Sequence, residues 1–132
     1  MRLPGEACEV TAPSAERVGG TVVYSGAAWC HPEFRGSSLS KILPRVCKAY
    51  ALTRWPADTI VSLMVEAVHA RGFAPHFGYD NVDWSVFMKN TSLGTFKAAF
   101  LSVSREHTFD YASELLADSS SHVDAAVLNR RA

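Results

Sequence analysis

Trp29-Cys30-His31-Pro32-Glu33-Phe34-Arg35-Gly36-Ser37-Ser38-Leu39-Ser40 joins a β-rich run to a helical one, and the architecture follows from that junction. Upstream, Gly19-Gly20 precede Thr21-Val22-Val23-Tyr24, a β-branched run that reads as a strand. The strand is expected to continue through Ser25 to Cys30, with Gly26 marking a bulge or a close approach, until His31-Pro32 ends its ladder. Downstream, Leu39, Ile42, Leu43, Val46, Ala49 and Tyr50 recur at the spacing of one helix face, which predicts a helix from Ser37 to about Trp55. Pro56 stops it, and Pro44 inside it predicts a kink or loosened turn. Such a strand-to-helix turn aims unpaired backbone amides and the positive end of a helix dipole at one point, where a phosphate or pyrophosphate fits. Gly36 permits close backbone approach, Arg35 offers a cationic fork, and Ser37, Ser38 and Ser40 add short hydroxyls. The same residues would also serve a plain serine-capped helix after an ordinary loop.

Working outward, Ala7 to Val10 alternates weakly as a first strand. Thr59 to Val65 is nearly unbroken apolar sequence, read as a central strand covered on both faces, with a short helix from Glu66 to Gly72 behind it. A longer helix from Ala57 to Arg71 is the alternative. Val82, Trp84, Val86 and Met88 alternate with polar or opposite-facing neighbours, Asn90 to Gly94 turns the chain, and Thr95 to Val103 returns with Phe96, Ala98 and Phe100 on one side. Ser104 caps a closing helix to about Ala117, followed by a loose polar tail. The fold class is therefore α/β in the broad sense (α+β): a mixed, mostly antiparallel sheet flanked by helices, one domain over 1–117 with a flexible tail over 118–132.

Composition narrows the functions. The 132 residues are 48% hydrophobic and 20% charged, as in a globular domain, and 13 Lys and Arg balance 13 Asp and Glu. Zero net charge gives no support to a broad grip on nucleic acid or anionic lipid. No apolar run is long enough for a membrane span or a signal peptide, so a cytoplasmic protein is expected. Cys8, Cys30 and Cys47 are too few and too scattered for a disulfide framework, and the five histidines form no HxH or HExxH motif, so no metal site is expected.

The junction resembles the signature of the GCN5-related N-acetyltransferase superfamily, Gln/Arg-x-x-Gly-x-Gly/Ala, which binds the pyrophosphate of acetyl-coenzyme A at a strand-to-helix turn. The aligned residues are Glu33-Phe34-Arg35-Gly36-Ser37-Ser38, with Glu33 where the family has Gln or Arg. The order of helix, apolar strand, short helix and hairpin from about Gly20 to Val103 is similar to the family's C-terminal half. The resemblance implies acetyl-CoA as acyl donor, an amine as acceptor, and Arg35, Gly36, Ser37, Ser38, Leu39 and Ser40 around the diphosphate. It also implies that Ala28, Trp29 and Cys30 face the pantetheine arm, where the strand splays from its neighbour near Leu63.

Many relatives carry a tyrosine as general acid near the Gly72-Phe73 corner, but Ala67, Val68 and His69 stand here. Tyr79 is the substitute acid, and Glu66, or His31 or Glu33, the group that takes the amine proton. Only about nineteen residues precede the β-rich run, so the family's N-terminal elements are expected to be missing and a second copy, or another chain, to cover the sheet. Two functions follow: an N-acetyltransferase, or an inactive remnant that binds CoA or a protein partner. A nucleic-acid binder rests only on Arg130-Arg131 and scattered basic residues.

Overall fold

In the computed structural model, residues 4–36 and 39–129 are described. Five strands form one mixed sheet in the order β1-β4-β5-β3-β2, made of β1 (Ala7–Val10), β2 (Val22–Tyr24), β3 (Thr59–Val65), β4 (Asn81–Thr91) and β5 (Gly94–Ser104). Among the described residues, only β2 and β3 run parallel. A parallel pair needs a crossover, and α2 (Leu39–Arg54) supplies it. The α+β class and the mostly antiparallel sheet are as the sequence predicts.

One face of the sheet holds the core. Ile60 and Met64 of β3 meet Ala99, Leu101 and Val103 of β5, and Leu52 of α2, Ala74 of α4 (Phe73–His76) and Tyr79 close over them. Tyr111 of α5 (Arg105–Asn129) packs against this cluster. The opposite face is covered only in part. The short α1 (Pro13–Glu16) docks on β4, where the Ser14 hydroxyl and amide both donate to the Asp83 carboxylate and hold it below its usual range. Beyond that patch, Val22, Tyr24, Leu63 and Val65 are 38%, 63%, 44% and 39% exposed.

This corrects two expectations and decides one alternative. β3 is buried on alternate residues only, so it is a one-sided strand and not a doubly covered one. Its β-branched residues hold a strand and displace the alternative helix, because seven ladder partners on β5 outweigh any helical tendency of that run. The even alternation of β4 is broken by a bulge between Asp83 and Val86, where the register against β5 shifts. Val82 opposite Leu101 and Val86 opposite Ala98 therefore lie on different faces.

The expected single short helix after β3 is two, α3 (Glu66–His69) and α4, separated by Gly72 at φ 74°. The closing helix does not stop near Ala117 but continues to Asn129. No helix among the described residues is long and apolar enough to cross a membrane.

An ion pair ties this last helix to the strand layer: His107 Nδ1 meets the Asp80 carboxylate, which raises the His107 pKa above 6.5 by hydrogen bonding and charge. A raised histidine stabilises the folded state below the unfolded value, and that contribution fades as pH climbs through the folded one. Asp80→Asn is expected to return the His107 imidazole shift, followed by NMR, to an ordinary midpoint near ~6.5.

Candidate functional site

The ladder between β2 and β3 is short. Val22, Val23 and Tyr24 pair with Thr59, Ile60 and Val61, and the Ser25 amide donates to the Val61 carbonyl at 2.8 Å. The two chains then part, so the strand ends at Tyr24 and not at Cys30 as the sequence suggests. The reason is local. Ala27 takes φ 58°, a left-handed conformation that strand residues do not adopt. The close approach expected at Gly26 is made by the chain's own Tyr24, whose ring lies 2.8 Å from where a Cβ would stand.

Ala28, Trp29 and Cys30 follow as irregular chain, with Ala28 and Trp29 exposed and Cys30 half-buried. A single 3-10 turn, Pro32–Phe34, carries the chain on to α2. The Arg35 Nε donates to the Cys30 carbonyl at 3.2 Å, which draws two expected site residues together and fixes the guanidinium over the loop. Gly36 sits at φ 84° with open space around its missing Cβ. A side chain would be strained there by its backbone alone. The Glu33 carboxylate lies 3.7 Å from His31 Nδ1, toward the start of the turn. Leu39 and Ser40 open the first turn of α2, whereas Ser37 and Ser38 lie outside the described residues. The first turn of the helix carries Lys41 and no acid, which adds to the positive field at its N-terminus.

Tyr79 enters from the core side. Its ring is buried, and its hydroxyl donates to the Ser25 carbonyl at 3.5 Å, right where β2 and β3 part. At that length the bond is weak. Burial raises the phenol's pKa, against the smaller pull of Ser25 and Ser62 nearby, so it is a neutral proton carrier at physiological pH.

Glu66 is exposed and begins α3. It lies four residues past Ser62, roughly 13 Å along an extended strand, so acid and base candidates are not brought together.

Sequence reading missed Lys48. It is 2% exposed, its ammonium donates to the Phe77 carbonyl, and its Nζ stands 3.7 Å above the centroid of the Tyr79 ring. Desolvation, helped by neighbouring Arg45, lowers its pKa to about 7. The available signal was the second helical face of α2, on which Lys48 shares a side with Ala51 and Leu52.

Compared with known proteins, the chain matches no family model, no curated protein and no solved structure. The chemical reading therefore rests on the geometry of this junction.

Proposed function

We propose that the chain binds acetyl-CoA at the junction between Cys30 and α2 and passes the acyl group to an amine, as a GCN5-related N-acetyltransferase-like protein. One observation carries the reading. The parallel strands part after Val61, beside a glycine-led helix start bearing Arg35, and a buried phenol reaches the point of parting. A parted pair leaves backbone groups of Ala28, Trp29 and Cys30 for an amide-rich arm such as pantetheine. The helix start takes the diphosphate. The partners of this reading are acetyl-CoA, an amine and a second copy of the chain.

In the proposed step the amine nitrogen attacks the thioester carbonyl carbon and the carbon–sulfur bond breaks. The thiolate takes a proton from Tyr79, and the proton released by the amine passes through water to solvent-exposed Glu66, which does not touch the phenol. The Lys48 ammonium lies over the ring that becomes a phenolate, where its charge stabilises the product of proton donation. The acceptor's class stops at "amine".

The second reading, a CoA-binding module without turnover, is favoured by Ala67, Val68 and His69 in the corner where an acid would be expected. Thermal denaturation separates ligand binding from its absence. Acetyl-CoA at about one hundred times its dissociation constant should stabilise the fold by about 2.7 kcal/mol, a shift of roughly 10 °C for a chain of this size. ATP, a polyphosphate without the pantetheine arm, should give a smaller shift, and Arg35→Glu should remove the response to both. Equal shifts with ATP and acetyl-CoA would reduce the site to a polyphosphate nook. Thiol release with candidate amines then tests turnover, and a rate at the hydrolysis background would favour the module.

A further inference from the structure

A regular strand would send Trp84 and Phe87 to opposite faces, because side chains alternate along it and these two stand at even and odd positions. The β4 bulge changes that. Between Asp83 and Val86 the strand gains one residue against β5, so Val82 and Phe87 share a face and Trp84 lines the same cleft as Phe87. The floor of this cleft is a row across three strands. Glu9 of β1 pairs with Phe87, and Phe87 pairs with Lys97 of β5, so the three side chains leave the sheet side by side. Trp84 supplies the wall: His69 of α3 meets its ring at 83° with 4.9 Å between centroids, and the residue stays 43% exposed. β5 and β3 separate β4 from β2 by roughly 14 Å across the sheet, so the cleft is distinct from the junction that follows β2.

We propose that this cleft is a binding site for a small planar aromatic carboxylate, with its ring against Trp84 and Phe87 and its carboxylate on Lys97.

Size, surface and charge each select that class. The cleft encloses about 240 Å³. A cavity of about 150 Å³ takes a benzene ring and drug-sized ligands need roughly 300 Å³ or more, so one ring system with a carboxylate fits and a nucleotide does not. Two aromatic side chains favour a flat π-system over an aliphatic chain. Charge fixes the sign of the ligand. The Lys89 ammonium stands 2.6 Å from the Glu9 carboxylate and 5.1 Å from the Phe87 centroid, so Glu9 is neutralised within the row. Lys97 has no ion-pair partner among the described residues, which leaves one uncompensated cation at the cleft. A carboxylate there makes a charge-assisted hydrogen bond, whereas an ammonium is repelled.

The site goes beyond the acyl-transfer reading and uses none of its residues. Its test is an NMR titration of the full chain followed at the tryptophan indole and backbone amide signals. Indole-3-carboxylate and benzoate should move the Trp84 indole signal saturably, with a dissociation constant on the order of 0.1–1 mM for ligands of roughly ten heavy atoms. Benzylamine has the ring with the opposite charge and acetate has the charge without a ring, and each should bind at least about 10-fold more weakly. Lys97→Ala changes an exposed side chain, so the fold should stand while affinity for indole-3-carboxylate falls by about 10-fold or more. Trp84→Leu should give a similar loss, read at the Phe87 and Lys97 amides. No saturable shift up to about 10 mM, benzylamine bound as tightly as indole-3-carboxylate, or an affinity indifferent to Lys97→Ala would each overturn the site. Arg35→Glu should leave binding unchanged, and loss of binding in that variant would place the carboxylate at the junction and overturn the site as well. A missing acetyl-CoA shift leaves this prediction standing, and failure here leaves that shift untouched.

Discussion

Replacing Lys48 by methionine is expected to stabilise the protein by several kcal/mol near pH 6 and to lose that advantage as pH rises toward 10. The folded state holds the amine at about 7 against an ordinary value of 10.5. Below about pH 7 the amine is charged in both states, and the folded protein bears the full cost of a buried ammonium, on the order of 5 kcal/mol at 1.36 kcal/mol per pH unit. Between the two values the unfolded chain alone holds the proton, so the penalty shrinks as pH rises. It is gone once both states are neutral. Methionine carries no proton but abandons the Phe77 carbonyl, a loss of about 1–3 kcal/mol. Urea denaturation across pH should therefore show the variant ahead by roughly 2–4 kcal/mol at acid pH and level or behind at alkaline pH. A difference that does not vary with pH would mean that Lys48 titrates normally and that its ammonium is not confined beside Tyr79.

A costly buried cation suggests a task, and the second large effect addresses it. Tyr79→Phe keeps the ring in the core and removes only a hydroxyl whose hydrogen bond is 3.5 Å long, so stability should change little. The acyl-transfer kcat should fall by about 100-fold or more, the usual contribution of a positioned acid, while KM for acetyl-CoA stays close to its original value. The pH dependence carries the signature of the pair. With the phenol raised, activity should decline on the alkaline side as Lys48 loses its proton near 7, and Lys48→Met should flatten that limb. An unaltered kcat in Tyr79→Phe would assign the leaving-group proton to water.

The strands and the crossover helix were legible because their signals are local: β-branched runs at Thr21 to Tyr24 and Thr59 to Val65, and a helical period stopped by Pro56. What escaped depends on tertiary partners. The period of α2 identifies a helix but not which side meets the sheet, and the stripe through Leu43, Val46 and Tyr50 faces outward while Lys48 turns in. The β4 bulge and the early end of β2 are set by pairing and by the left-handed turn at Ala27, which no composition rule announces. At the junction, the sequence offers Arg35 and Gly36 by residue type alone, and the positive φ of Gly36 and the hydrogen bond from Arg35 to the Cys30 carbonyl are visible only in the fold. The contact that singles out Tyr79 needed Ser25 brought 54 residues back along the chain.

The most direct test is a crystal of the protein grown with acetyl-CoA. The account predicts the diphosphate beside the Gly36 amide and the Arg35 guanidinium, the pantetheine arm between the parted strands, and the thioester sulfur within hydrogen-bonding reach of Tyr79 Oη. A thioester bound elsewhere, or a helix start left unfilled at saturating ligand, would contradict it.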